Sequence, residues 1–365
     1  MMSTLLAAAL SIAANCDLEK PSGKSGCRVE AVNALPMTAI QVIGTHNSYK
    51  AAISLPEMAM LARINPKAAQ SLDYAKPSLT TQLTAGARQL ELDYVYDPKG
   101  GRYANPLGLK MAAGKAPPYE SAAMLSPGLK VMHVPDIDYR SVCQTFVTCL
   151  KEVRSWSVAH PGHVPILIIM NLKEDNIAVP GATPLLPFDA LAMDSIDAEI
   201  RSVFPAKSLI TPDRVQGHYP TLREAAAAGN WPRLREARGK VMFAMDEGQA
   251  KADIYRGTRR GLEGRVMFVN VEETSPMAGY ITLNEPVELK ARIAAALKAG
   301  LIVRTRADAD TLEARTGDRT RQIAAFSSGA QYVSTDYMTP DPHIGPYEAH
   351  LPGQGIARRN PQTTR

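Results

Sequence analysis

The 365-residue chain has no uninterrupted apolar run near the roughly 18 residues that a helical membrane span needs, which excludes an integral helical membrane protein. It has no block of five or more consecutive Lys or Arg, and its 41 basic and 36 acidic residues leave a net charge of only +5, so it carries no nucleic-acid footprint. Internal repeats and a glycine-rich nucleotide fingerprint are both missing, which argues against a solenoid and a dinucleotide site. Aromatic residues make up 6% of the chain, and cysteines number four. What is present is an ordinary globular composition, 45% hydrophobic with 27 Pro and 25 Gly, in a chain long enough for one large core.

The first residues, MMSTLLAAALSIAANC, hold a short apolar run followed by small residues at Ala13 and Ala14. That pattern predicts a signal peptide over 1–15 and a secreted or periplasmic protein, with a buried N-terminal helix as the alternative. An even cysteine count suits export. Four cysteines allow three pairings, and the expected one is local, Cys16 with Cys27 and Cys143 with Cys149. Neither pair has zinc-knuckle spacing or a nearby His.

Eight apolar stretches read as strands: AIQVIGTH (39–46), RQLELDYV (88–95), LKVMH (129–133), VPILIIMNLKE (164–174), KVMFAMDE (240–247), RVMFVNV (265–271), LIVRTRA (301–307) and QYVSTDY (331–337). Most are continuous runs rather than alternations, as in strands covered on both faces, and helix-like segments separate most of them. The expected fold is α/β, a single-domain (β/α)8 TIM barrel with insertions; a doubly wound open sheet is the competing arrangement. Residues 16–38 read as a lead-in segment, 39–340 as the barrel and 341–365 as a Pro- and Gly-rich tail.

In such a barrel the chemistry sits where strands end. The first run ends in Thr45-His46-Asn47-Ser48, the second carries Glu91 and Asp93, the third ends at His133 and the fourth in Lys173-Glu174-Asp175. Glu91 and Asp93 are two apart and share a face, so a cation must compensate them. With Asn47 and Glu174 they form an all-oxygen set suited to Ca2+ or Mg2+ rather than zinc or copper. His46 and His133 flank the carboxylate pair and are candidates for acid and base roles. His160 and His163 precede the fourth run, so they fall at the opposite end of the barrel and read as structural.

The segments IGTHNSYK (43–50), QLELDYVYD (89–97), VMHVPDIDYRSVCQTFVTCL (131–150) and HPGHVPILIIMNLKED (160–175) resemble the bacterial secreted Ca2+-dependent phosphoinositide-specific phospholipases C, within the phosphatidylinositol-specific phospholipase C-like phosphodiesterases. The resemblance implies a Ca2+-dependent phosphodiesterase that cleaves phosphatidylinositol to diacylglycerol and a cyclic inositol phosphate by attack of the inositol 2-hydroxyl. It implies acid/base roles for His46 and His133, in either assignment, and calcium ligation by Asn47, Glu91, Asp93 and Glu174. Asp246 and Arg304 are candidate contacts to the inositol ring. The fifth run ends in Phe243, Met245, Asp246 and Glu247, an acidic rim that favours an unphosphorylated headgroup. The implied enzyme is a monomer that touches a membrane surface transiently, through rim loops such as the Met- and Ala-rich insertion at 107–125. Two other functions fit parts of the pattern. One is a glycerophosphodiester phosphodiesterase, although His46 is followed by Asn47-Ser48 rather than Arg-Gly. The other is a non-catalytic inositol- or glycan-binding barrel.

Overall fold

The computed structural model describes residues 15–353 and 355–362. The expected export segment, 1–15, lies outside the described residues apart from Asn15. Eleven strands occur among the described residues: β1 (Ile40–Thr45), β2 (Gln89–Val95), β3 (Lys130–Val131), β4 (Ile166–Leu172), β5 (Leu209–Ile210), β6 (Val241–Met245), β7 (Met267–Val269), β8 (Tyr280–Thr282), β9 (Ile302–Arg306), β10 (Tyr332–Thr335) and β11 (Ala357–Arg359). They form two largely parallel sheets of a mixed α/β fold. One runs β11-β1-β10-β9-β8; the other runs β3-β2-β4-β6-β5, with β7 also paired to β6. Every residue of β1, β2 and β6 is buried, as expected of parallel strands covered on both faces.

The sheets adjoin along two seams. At the first, Arg88 N donates to Ile43 O (2.9 Å) and Ser48 N to Glu91 O (3.0 Å). Here β1 and β2 approach so closely that a Cβ on Gly44 would fall 2.3 Å from Gln89 O, which explains glycine in the middle of a strand. At the second seam a parallel bridge joins Asn270 to Tyr280.

Two sequence expectations need correction. The run at 129–133 yields only the two residues of β3, which pair antiparallel with β2 through Tyr94 to Val131 and Val95 to Lys130. It is not a parallel strand of the main series. The connection fits this: 96–129 is long enough for a crossover but holds only a five-residue helix and a short 3-10 turn, without the long helix that usually carries a parallel return. The sequence reading also lacked β8, three residues set between Gly279 and Asn284. It pairs parallel with β9, and the two-residue β5, which the sequence reading also lacked, pairs parallel with β6.

Both disulfides are the local ones, Cys16–Cys27 and Cys143–Cys149. The segments flanking the strands are packed parts of the same body. Leu18 N bonds to Ala357 O, and β11 adds antiparallel to β1. Among the described residues no helix is long and apolar enough to cross a membrane.

Candidate active site

The turn after β1 is fixed by its own polar side chains. Ser48 Oγ accepts from Glu91 N (2.8 Å) and lies 2.6 Å from Thr45 Oγ1, which also donates to Gln82 Oε1 (2.6 Å). Asn47 takes a left-handed φ of 43°, a conformation Asn tolerates better than most residues. This staple ties β1 to β2 and sets the His46 ring among buried charges.

His46 Nδ1 lies 2.9 Å from Asp336 Oδ1 and is therefore the protonated nitrogen of the neutral ring. Nε2 is left bare and faces Glu91 Oε1 at 3.7 Å. Asp336 is held by Lys76, whose Nζ bonds its backbone oxygen (2.5 Å) and Oδ1 (3.1 Å), and by Arg306 Nη2 on Oδ2 (3.3 Å). Burial would raise the Asp336 pKa, but Lys76, His46 and Arg306 outweigh it and hold the carboxyl well below the usual range. The His46 pKa is lowered by burial and by Arg306, against the opposite pull of Asp336 and Glu91. The ring is thus neutral near pH 7 and able to accept a proton at Nε2.

Asn171 on β4 bridges the carboxylate pair, its Nδ2 reaching Glu91 Oε1 (2.9 Å) and Asp93 Oδ1 (3.1 Å). The strand register explains this, since Asp93 and Asn171 are direct neighbours on β2 and β4. The remaining oxygens meet cations: Glu91 Oε2 meets Arg304 Nη2 (2.6 Å), and Asp93 Oδ2 meets Lys173 Nζ (2.8 Å). Burial would raise the Asp93 pKa, but Lys173 and His133 pull it below its ordinary value. Burial would likewise lower the Lys173 pKa, and Asp93 with Glu91 carries it above.

The sequence-predicted residues divide into two groups. His46, Asn47, Glu91 and Asp93 come together, with Asn47 connected through Tyr49, whose hydroxyl lies 3.5 Å from Asn47 Oδ1 and also interacts with Asp93. Asn47 Nδ2 donates to Tyr74 OH (2.6 Å). Asp246 and Arg304 also face this interior: Arg304 Nη1 donates to Asn284 Oδ1 (2.6 Å) and lies 3.9 Å from Asp246 Oδ2. His133 lies on the loop after β3, close enough for its charge to act on Asp93, with Nδ1 2.9 Å from Asp138 Oδ2.

Glu174 is elsewhere. Its carboxylate pairs with Lys251 Nζ (2.5 Å) and accepts from Phe188 N (2.8 Å). Strand parity accounts for the difference, because Asn171 and Lys173 share one face of the chain and Glu174 falls on the other. Asp336, Arg306, Lys76, Asn171 and Lys173 escaped the sequence reading. Asp336 directly follows β10, and Arg306 stands two residues after Arg304 on the same face, so the strand-end and parity rules could have found both.

Among the described residues no three His, Cys, Asp or Glu side chains converge as a metal site. The oxygens available are those of the Glu91 and Asp93 carboxylates together with the Asn47 and Asn171 amides. That set is hard, without thiolate, and fits Ca2+ when water and substrate complete the six to eight ligands.

Comparison with known proteins identifies the family and similar folds. Two solved structures with similar folds are Ca2+-dependent phospholipases C. The phosphatidylinositol-specific enzyme of Streptomyces antibioticus is 18% identical with a TM-score of 0.54, covering 90% of this chain and 100% of that one. The phosphoinositol-specific enzyme of a Gram-negative Pseudomonas species is 16% identical with a TM-score of 0.54, covering 95% and 98%. A myoinositol complex of the Pseudomonas enzyme superposes with a TM-score of 0.53 at 16% identity, covering 89% and 96%. Among curated proteins none matches the chain. The sequence pattern of the family described as "Phosphoinositide phospholipase C, Ca2+-dependent" matches residues 35–361, nearly the whole chain, and the protein therefore belongs to that family of Ca2+-dependent enzymes.

Proposed function

We propose that this enzyme cleaves phosphatidylinositol by intramolecular attack of the inositol 2-hydroxyl on the phosphodiester, releasing diacylglycerol and a cyclic inositol phosphate. The observation that carries the reading is the fixed His46 ring, with Nδ1 anchored on Asp336 and bare Nε2 turned toward Glu91. His46 Nε2 takes the proton of the 2-hydroxyl as its oxygen bonds to phosphorus, and the imidazolium formed is stabilised by Asp336 and Glu91 on either side. His133, oriented by Asp138, protonates the glycerol oxygen as the phosphorus–oxygen bond breaks. Arg306, beside the ring, stabilises negative charge on the phosphate oxygens.

Glu91 and Asp93, with Asn47, are the proposed calcium ligands, and Asn171 orients the two carboxylates; Glu174, predicted from sequence, lies on the other face. Bound there, Ca2+ supplies a charge that lowers the hydroxyl pKa and offsets charge in the transition state. Asp246 and Arg304 are the proposed ring contacts. Arg304 Nε is buried without a partner among the described residues, which leaves it a hydrogen bond to give. Asp246 and Glu247, which directly follow β6, form an acidic rim that favours an unphosphorylated headgroup.

We further propose that β1, β2, β4, β6, β7, β8, β9 and β10 close into a (β/α)8 barrel. The Arg304–Glu91 pair supports this, because it joins β9 of one sheet to β2 of the other across the interior. The apolar side chains of Leu55, Ile64, Met111 and Leu125, exposed on the connections after β1 and β2, suit transient contact with the lipid surface by a monomer. The two disulfides favour an exported protein.

The test is cleavage of phosphatidylinositol vesicles with Ca2+ or with EGTA, alongside His46→Ala and Asn47→Ala. Water-soluble inositol phosphate that forms only with Ca2+ and disappears in both variants is the expected result. Cleavage of glycerophosphoinositol with phosphatidylinositol untouched would overturn the lipid substrate.

A further inference from the structure

The two carboxylates of the proposed calcium site are neutralised by cations of different kinds. Arg304, on Glu91, is 2% exposed, emerges from a strand and is clamped at its other nitrogen by Asn284. It is a fixed part of the interior. Lys173, on Asp93, follows the last residue of β4, and its side chain is 31% exposed. A lysine ammonium on a flexible stem with water at hand can leave one carboxylate oxygen for solvent; a buried, clamped guanidinium cannot.

Asp93 has no spare oxygen. Oδ1 accepts from Asn171 and Oδ2 holds Lys173 Nζ at 2.8 Å. A divalent ion that approaches this carboxylate meets the Lys173 ammonium on Oδ2, while the Asn171 bond on Oδ1 also tethers Glu91. An ammonium left within a few ångströms of the ion would repel it, so the lysine must swing outward as the ion enters.

Resting on the reading that Glu91 and Asp93 ligate Ca2+, we propose that Lys173 is a built-in competitor for the metal. It caps Asp93 until calcium is abundant and so sets the concentration at which the enzyme loads. The apparent dissociation constant is the intrinsic one divided by the fraction of molecules in which Lys173 has left Asp93. The pair thus moves the site away from the roughly micromolar affinity of intracellular sensors and toward the roughly millimolar affinity of extracellular calcium modules. Such an enzyme is idle in a calcium-poor compartment and active in a calcium-rich one, with no second protein involved.

The experiment is calorimetric titration of Ca2+ into the full chain and into Lys173→Met, which keeps the stem and removes the charge, with Asp93→Asn as the control. Lys173→Met is expected to bind Ca2+ about tenfold or more tightly than the parent, and Asp93→Asn to lose binding. A second readout uses the parent alone: amine acetylation read by mass spectrometry should label Lys173 faster with Ca2+ than with EGTA. Equal or weaker binding by a folded Lys173→Met overturns the competitor and leaves the calcium site standing. Should that variant fail to fold, labelling of Lys173 that ignores Ca2+ overturns it equally. No calorimetric binding by either the parent or Lys173→Met, up to concentrations at which calcium saturates turnover, overturns the ligand assignment and this inference with it.

Discussion

Half-buried His46 and buried His163 both have depressed pKa values and stand at opposite ends of the parallel strands. His46 is at the end that carries the site (the open end) and His163 at the other (the closed end), and their surroundings differ completely. His163, just before β4, donates from Nδ1 to Val164 O (2.6 Å) and accepts at Nε2 from Ser157 Oγ (2.8 Å). Both nitrogens are used by neutral partners, and burial drops its pKa to about 4. His46, just after β1, has only one nitrogen committed; the other faces a carboxylate across a gap. The ion pairs repeat the contrast. At the closed end Arg88 grips Glu19 through Nε (2.6 Å) and Nη2 (2.5 Å), while Nη1 binds Leu83 O and Ala87 O and Val164 N completes Glu19. At the open end Arg304 holds Glu91 through one nitrogen and leaves Nε unpartnered among the described residues. Burial of charge serves stability where every atom is satisfied and chemistry where some are left over.

That contrast can be broken from either end. The largest effect expected is from His46→Ala, which should lower phosphatidylinositol turnover by up to about 10⁴-fold, some 5 kcal/mol of barrier, with little change in melting temperature. A variant that loses activity only in proportion to its folded fraction would place His46 with His163 as a structural residue. Next comes Glu19→Ala, which strands the Arg88 guanidinium in the core and should cost about 4 kcal/mol in urea unfolding. Turnover per folded molecule should survive, because Glu19 touches nothing at the open end.

His163 itself predicts a pH dependence. Its folded pKa of about 4 lies below the ordinary 6.5, so the unfolded chain binds the extra proton more readily. Stability from this group is complete above pH 6.5 and is lost as pH falls from there toward 4, by about 3 kcal/mol. His163→Gln should flatten that part of the stability curve, measured by urea midpoints at several pH values, while leaving the pH profile of turnover in place.

The difference between the ends also decides what was legible in the sequence. Long apolar runs announced β1, β2, β4, β6, β7, β9 and β10, because strands buried on both faces must be apolar throughout. Three-residue β8 carries too little pattern to stand out, and the direction of β3 depends on a connection rather than on its own residues. At the site, His46, Asn47, Glu91 and Asp93 were readable because they sit in one turn and one strand. Asp336, Lys76 and Arg306 act on His46 from 290, 30 and 260 positions away, and only the fold brings them there. Glu174 was chosen by residue type at a strand end, and parity sends it to the helix side, where Lys251 waits. At the closed end the Glu19–Arg88 pair, 69 residues apart, left no local trace at all.

The smallest effect sharpens the comparison most. Asp336→Asn keeps a hydrogen-bond acceptor for His46 Nδ1 but removes the anion that Lys76 and Arg306 share. Asp336 raises the His46 pKa while burial and Arg306 lower it, so neutralising Asp336 must lower it further. If neutral His46 is the base, the acidic limb of kcat/KM moves to lower pH, and the plateau falls about tenfold as the imidazolium formed in the reaction loses its partner. A limb that stays in place while the plateau falls would mean that Asp336 only orients the ring. A limb that moves to higher pH would mean that Arg306, released from Asp336, has swung away from His46 and that its positive charge, rather than the carboxylate, had governed the histidine.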